Sequence, residues 1–550
     1  MKLTLDEALK APGVVSIDFE TPSLDWWTER ALLLGIYAPT FEGYINLVEY
    51  NDETLSLFFR DFIKNRSFIG HNFKFDLHFL ERWVNVQPIP FSDTMILGHM
   101  VNEQAPHGLE KLSLIHFGED ACVAKKAVDA FNKKIFKRKE DIRFDKVPNE
   151  LLGARGVEDA KNTFKLFELF RPKVYSENIY LLEKKLLKVL LRMENNGIII
   201  DASYLKELDK QLEVSILEYK KKYPHLNLNS TKQLQEWLFG TLKLEPSEYT
   251  ATGLPSTKTA ALKAINSPET RDLIGFREKD KLRSAFTINL LAKIDATKKI
   301  HADFRQVGTE TGRLSCVKPN LQQIPSKSPI IRKAFLGNES LWAFDYSQME
   351  AILYAVYNKE KFLINAVDNG KDVYTAMASK IFETPYADVS KPIRDRTKTI
   401  FLGLMYGMGR AKFERITKTT FEKVYGYFNK KPLQKKINNQ IEKDGFVETM
   451  FGRRRHLTPE ESYKGINTII QGSSADIIKM AMVDIPYSIQ DKMRLTVHDE
   501  LVFEDLTKEE GKEIWKTMTS YEPHLKVTVG TAKNWWDCGD NEQKGEEFFK

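Results

Sequence analysis

Asp18 and Glu20 stand two residues apart in the run SIDFET. In an extended segment residues i and i+2 share a face, so both carboxylates point the same way. Like charges on one face repel each other, and burial strips their hydration. A divalent cation removes that cost, and hard carboxylate oxygens suit Mg²⁺ or Mn²⁺. Two more acids lie far along the chain. LWAFDYSQMEA reads as a strand ending in Asp345 and turning toward a helix; RLTVHDELVFE reads as a hairpin with His498 and Asp499 at its turn. Tight hairpin turns favour Asn-Gly or Asp-Gly. An acidic turn between apolar strands breaks that rule, and such breaks concentrate at functional sites. On neighbouring strands Asp345 and Asp499 would sit side by side. Between them Arg394, Lys398, Leu402 and Tyr406 recur at every fourth position, close to one helix face. Ser390 or Lys391 with Pro392 starts that helix. Two cations one turn apart suit a triphosphate, Arg394 as a fork on phosphate oxygens and Lys398 as a point charge.

The elements that must carry these residues are legible in outline. Alternating runs across residues 13–50 predict three strands, and helical patterns follow at 52–65 and 73–84, so the front is α/β. Residues 121–150 form a basic stretch holding Lys125, Lys126, Lys133, Lys134, Lys137, Arg138 and Lys139, read as a solvated insertion or a DNA-facing loop. A long helical pattern from Glu177 to Lys222 breaks at Gly197, a helix stop followed by a short strand. Helices rich in lysine fill 229–300, mixed structure begins near His301, and a second helix-rich stretch runs from about 361 to 480 before strands return. A sheet whose outer helical parts are inserted in sequence is the expected architecture. With 550 residues there is room for several domains. Cys122, Cys316 and Cys538 form no CxxC pair and predict free thiols in a reducing compartment. The polar N-terminus lacks the pattern of a targeting peptide, and no apolar run is long enough to span a bilayer; a cytoplasmic protein without membrane contact is expected. A net charge of +6 is compatible with a polyanionic partner without pointing to one.

Asp18, Glu20, Asp76 and Asp159 follow the order of the DEDD 3′→5′ exonucleases, with Asn72 and Phe75 completing an NxxFD element and FSDTM and GLEKL between. The rest of the chain resembles family A (bacterial polymerase I-like) DNA polymerases: HADFRQVGTETGRLSCVKPNLQQIP, then DYSQME, RTKTIFLGLMYGM, GINTIIQGSSADI and VHDE, in the family's order. The resemblance implies a ribonuclease H-like exonuclease domain over 1–172 followed by a right-hand polymerase. Its palm is built from 173–202, 301–360 and 481–550, its thumb from 203–300 and its fingers from 361–480. It implies template-directed DNA synthesis with proofreading, using two Mg²⁺ ions per active site, Mn²⁺ being possible. Asp345, Asp499 and the backbone oxygen of Tyr346 would hold one pair; Asp18, Glu20, Asp76 and Asp159 the other. Arg394, Lys398, Leu402, Tyr406, Gln348, Glu350, Lys327 and Tyr374 would meet the incoming dNTP, with Lys398 also catalytic. Glu350 would fill the space a ribose 2′-hydroxyl needs. Arg313, Asn320, Gln323, Asn467, Gln471 and His498 would contact primer–template DNA, where minor-groove acceptors common to every base pair report pairing shape.

The sequence departs from the family at named points. Arg155 stands where a Tyr orients the attacking water, and Leu402 where Phe or Tyr packs on the incoming nucleotide. Lys327 replaces a common Arg, Tyr374 a His, and Ile352 and Tyr463 two further Arg residues. In the thumb, Asn229 or Ser230 caps a helix, and Lys279, Lys281 and Arg283 are expected to touch the DNA backbone, with binding that falls steeply in salt. A single-stranded 3′ end would enter the exonuclease site, and replisome proteins are conceivable partners. The chain starts directly at the exonuclease strand, with no 5′-nuclease domain expected. That compact form is similar to bacteriophage replicative enzymes, which would place it in the host cytoplasm. Two rivals, a lone exonuclease and a non-catalytic replication scaffold, could dispense with Asp345, Asp499, Arg394 or Lys398; all four are present.

Overall fold

The three runs expected across 13–50 are strands Val14–Glu20, Leu33–Ala38 and Phe41–Asn46. In a computed structural model, which describes residues 1–138, 141–325, 329–417 and 430–550, they join Ser67–Gly70 and Phe91–Asp93 in a five-stranded sheet. Lys139 and Lys327 lie outside the described residues. The strand Val14–Glu20 is central, antiparallel to Leu33–Ala38 on one side and parallel to Ser67–Gly70 on the other. The helix Asn149–Phe170 lies across this sheet. A Cβ on Gly35 would fall 2.3 Å from the backbone of Gly156, so strand and helix meet backbone to backbone. That close approach lowers Asp159 onto the strand carrying Asp18 and Glu20.

The helix Glu177–Asn196 is started by Ser176, whose side chain accepts from the N–H of Ile179, and is stopped by Gly197 at φ 59°. A side chain at Gly197 would also collide with the His301 ring. This helix is shared between two cores. Ile179, Tyr180, Leu187 and Leu191 belong to the front domain's core, whereas Leu186, Val189, Leu190 and Met193 face the rear one. An apolar stripe on each side makes it a common wall.

The rear sheet gathers seven strands from distant parts of the sequence. The long strand Phe335–Ser347 runs antiparallel between Glu500–Glu504 and Lys526–Asn534, and Met493–Val497 extends the sheet through the expected hairpin. Ile198–Ile200 pairs with the start of the long strand. A separate small core of Leu228, Leu234, Leu262, Leu273 and Phe276 lies within the intervening helices. The described residues of 361–480 are mostly helical, as expected, but also hold a two-stranded hairpin, Phe446–Glu448 with Arg454–His456, which is too short to show a period of two. Within the basic stretch the described residues include the helix Val123–Ile135, with Lys125 paired to Asp129 at 2.8 Å and Val128 fully buried. No described helix is long and apolar enough to cross a membrane.

Where these parts meet, Glu183 on the shared helix accepts from Arg453 and Lys479, both at 2.6 Å, and Arg453 also reaches Asp476 at 2.7 Å. All four side chains are buried. Burial alone would raise the Glu183 carboxyl; Lys479 and Arg453 instead hold it down at about 2. Its contribution to stability is therefore present above its unfolded value of 4.5 and is lost as pH falls toward about 2. Glu183→Gln removes the carboxylate from buried Lys479 and one of the two from Arg453, and is expected to cost about 3–5 kcal/mol at neutral pH. Urea unfolding should also show a flatter acid limb for the variant than for the parent. An unchanged midpoint would show that the node contributes nothing.

Candidate active sites

In the front domain Asp18 and Glu20 project from the same face of the central strand, as their spacing requires. Asp159 joins them from the helix, and one ligand oxygen from each of the three lies within 4.8 Å of the others. Asp76 is not in that trio. Its Oδ1 accepts from the N–H of Phe19 at 2.9 Å, which anchors the helix Lys74–Leu80 to the strand between the two acids. Burial, then Asp159, Asp76 and Glu20, push the Asp18 carboxyl well above the usual range. Burial raises Glu20 to about 7 and Asp159 to about 6, in each case against the pull of Arg155. Burial raises Asp76 to about 8, opposed by the Phe19 N–H. Glu20 Oε1 is buried without a hydrogen-bond partner. Hard oxygens in mutual repulsion, one of them orphaned, fit a divalent cation. Arg155 lies against the trio, its Nε 3.3 Å from Glu20 and 3.4 Å from Asp159.

In the rear sheet Asp345 pairs across the strands with Glu500, one residue from Asp499, and the N–H of Tyr346 donates to the Asp499 carbonyl at 3.3 Å. Asp345 and Asp499 are thus brought to adjoining positions on neighbouring strands. The Tyr346 side chain faces away into the core, its hydroxyl donating to the Met518 carbonyl at 2.6 Å. Burial, then Glu500, Asp499 and Glu542, raise Asp345 well above the carboxylate range. Burial raises Asp499 to about 6, with Arg313 and Lys398 pulling the other way. The donor chemistry again fits divalent cations. Both turns that present these acids are strained: Gln348, after the long strand, has φ 54°, and His498, in the hairpin, φ 55°. Each left-handed non-glycine residue costs about 1–3 kcal/mol unless its surroundings hold it, and such strain gathers at functional sites.

The helix Lys391–Met405 puts Arg394, Lys398 and Leu402 along one side, with Tyr406 just past its end. Arg394 forks onto Asp372 at 2.6 and 3.0 Å. The Tyr374 ring lies 5.6 Å from the Arg394 guanidinium and 5.6 Å from Lys398 Nζ. Lys398 is exposed, and Leu402 is half-buried against the core. Glu350 is held from two sides, by Arg313 and by the Tyr406 hydroxyl at 2.9 Å. Gln471 reaches the same hydroxyl. Gln348 accepts from the Val373 N–H at 2.8 Å, linking the turn after Asp345 to the helix Val373–Phe382.

Other predicted residues sit less centrally. Asn320 caps a short turn by accepting from the Gln322 N–H at 3.1 Å, and Asn467 is half-buried with its Oδ1 unpartnered. Gln323 is exposed, while its neighbour Gln322 lines a small cavity with Arg313, His498 and Asp499. Ile352 is buried and Tyr463 is half-exposed. Ser230 caps its helix as expected, accepting from the Gln233 N–H at 3.4 Å. Arg283 is tied to Asp209 and to Glu213, at 3.1 and 2.8 Å. Sequence reasoning missed Asp372 and Glu500. Asp372 has the look of a plain helix cap, and does accept from the Thr375 N–H at 2.7 Å. Glu500 stands next to Asp499, and the register puts it opposite Asp345.

Residues 3–174 match the 3′-5′ exonuclease family, and residues 201–537 match DNA polymerase family A. A DNA polymerase I of Borreliella burgdorferi is 33% identical, with 97% of this chain and 64% of that protein covered. The DNA polymerase I of Pseudomonas aeruginosa is 30% identical, over 96% of this chain and 64% of its own length. The chain thus spans somewhat under two thirds of these relatives. The solved POL domain of Pol1 from M. smegmatis, a complex with DNA primer-template and dNTP, aligns with a TM-score of 0.82 at 24% identity, covering 97% of this chain and 98% of that one. At that identity the likeness concerns the fold.

Proposed function

The chain belongs to DNA polymerase family A, with a 3′-5′ exonuclease domain ahead of the polymerase, and on that premise we propose that it extends primer 3′ ends from dNTPs on a DNA template and removes misplaced 3′ nucleotides. Residues 1–172 serve as the exonuclease domain. The palm is 173–202, 301–360 and 481–550, the thumb 203–300 and the fingers 361–480. The observation that carries this reading is the coexistence of two separate acidic sites with a cationic helix beside the second. Its substrates are primer–template DNA, dNTPs and a single-stranded 3′ end.

Asp345, Asp499 and the backbone oxygen of Tyr346 would hold Mg²⁺, and the front acids a second set. When bound, these ions favour ionisation of the attacking oxygen and spread the charge of the departing one. The chain's own groups bind and orient. Arg394 takes phosphate oxygens by leaving Asp372 for a more highly charged partner, and Lys398 adds charge from one turn away. Tyr374 walls the space between the two cations. Tyr406 and Arg313 fix the Glu350 carboxylate where it fills the room of a 2′-hydroxyl, which selects dNTPs. Leu402 gives the sugar an apolar surface with no hydroxyl. Leu402→Tyr is therefore expected to raise dideoxynucleotide use relative to dNTPs by roughly ten-fold, the worth of one hydrogen bond. Competition between the two in primer extension measures it, and an unchanged ratio removes Leu402 from the sugar contact.

The direct test is a labelled primer–template incubated with Mg²⁺, with and without dNTPs. Extension with dNTPs and shortening without them support the proposal. Shortening alone indicates a lone exonuclease, and DNA binding with neither reaction indicates a scaffold. Competition with rNTPs tests Glu350.

A further inference from the structure

Given the reading of the front acids as an exonuclease metal site, we infer that Arg155 is a tethered cation that competes with the divalent ion for Glu20 and Asp159. It pins the carboxylates while metal is scarce, and the ion must push it aside to load. Exonuclease activity is thereby tied to metal supply more tightly than polymerisation is.

The geometry carries this. Arg155 precedes Asp159 by one helical turn, so its side chain and the Asp159 carboxylate share a helix face. Its Nε approaches Glu20 Oε1 and Asp159 Oδ2, and those two residues, with Asp18, are the trio whose oxygens converge. A unit positive charge thus stands against two of the three groups a divalent ion would use. The contact with Glu20 is held by charge rather than by a directed bond: Arg155 Nε and Glu20 Oε1 are both buried and neither has an aligned hydrogen-bond partner. Glu20 therefore keeps its bonding capacity for an ion.

The guanidinium also has a place to rest. Its Cζ lies 4.9 Å from the centre of the Phe144 ring, and Phe144 is anchored by its N–H to the Pro22 carbonyl, just past Glu20. The side chain is 21% exposed, against 4% for Glu20 and 14% for Asp159, so it is the member of the group with a way out. Arginine stays protonated throughout the pH range of folded proteins; it is released by movement and not by titration. Among the described residues of the rear site no cation is ion-paired with Asp345 or Asp499; Arg313 and Lys398 act on Asp499 only through the field. The nearby arginines there are engaged elsewhere, Arg332 with Glu500 and Arg313 with Glu350.

The test is Mn²⁺ binding followed by electron paramagnetic resonance on the full chain carrying Asp345→Asn and Asp499→Asn, so that the front set is the acidic group under study. In that background Arg155→Gln is expected to tighten Mn²⁺ binding by about 10- to 1,000-fold, the range by which one unit charge at 4–6 Å biases a neighbouring group. Arg155→Lys keeps the charge and should bind like the parent. Equal affinity in the Gln and Arg proteins, with Asp18→Asn abolishing binding, overturns the inference and leaves the exonuclease reading standing. Binding unaffected by Asp18→Asn overturns both. If Arg155→Gln needs metal to fold, its melting temperature across a Mn²⁺ series reports affinity by linkage. A steeper rise than the parent's supports the competition, and an equal rise refutes it.

Discussion

Primer extension by Asp345→Asn is expected to fall by about a thousand-fold or more, equivalent to roughly 4 kcal/mol of transition-state stabilisation. The melting temperature of the metal-free protein should hold or rise. The two halves of that result share one cause. Asp345 lies beside Glu500, Asp499 and Glu542, and burial together with those charges raises its carboxyl well above the normal range. A carboxylate so placed destabilises the fold unless a cation is present, so a neutral isostere relieves repulsion. Without the charge, however, the ions proposed to activate the primer hydroxyl would be poorly held. A structural acid behaves in the opposite way. Glu500, next along the hairpin, accepts from the Trp535 indole N–H at 2.9 Å and pairs with Arg332 at 3.4 Å. Glu500→Ala, which leaves the Trp535 N–H and the Arg332 guanidinium without their acceptor, should therefore lower the melting temperature. If Asp345→Asn lost stability and activity in proportion, its role would be structural and the polymerase site would have to be sought elsewhere.

Asp18→Asn is expected to cut 3′ shortening by a comparable factor, about a thousand-fold or more, while primer extension continues. Asp18 is the centre of the front repulsion: after burial itself, Asp159, Asp76 and Glu20 all raise it. Like Asp345→Asn, the variant should melt no lower than the parent without metal. Adding Mg²⁺ should stabilise the parent more than the variant, because the ion repairs a repulsion that the variant lacks. Both reactions are read from one gel by varying the dNTPs. Loss of extension along with shortening would show that the two acidic sites are not independent. They share the helix Glu177–Asn196 as a wall, which makes that independence a genuine question of the fold.

The chemistry was legible wherever local periodicity determines geometry. A spacing of two in a strand puts Asp18 and Glu20 on one face whatever lies around them. A spacing of four aligns Arg394, Lys398 and Leu402. The short turn at His498 and Asp499 requires two strands to pair, and that pairing carries Asp499 to the side of Asp345. Family resemblance then joined these fragments in order, which no period could do.

What the sequence left open depends on packing between elements far apart in the chain. Asp372 takes Arg394 in a fork only because the helix Val373–Phe382 lies against Lys391–Met405. Glu350 is gripped from opposite sides by Arg313 and Tyr406, residues separated along the chain yet joined at one carboxylate. Arg283 pairs with Asp209 and Glu213, partners about 70 residues away that no local pattern in the sequence names. In sequence Arg155 shows only as a replacement for a tyrosine; the contact of Gly35 with Gly156 is what brings its helix close enough to set its charge among the acids. Backbone periodicity is a property of consecutive residues. The partner of a long charged side chain is decided by which surfaces are driven together to bury their apolar faces, and charge satisfaction follows from that placement.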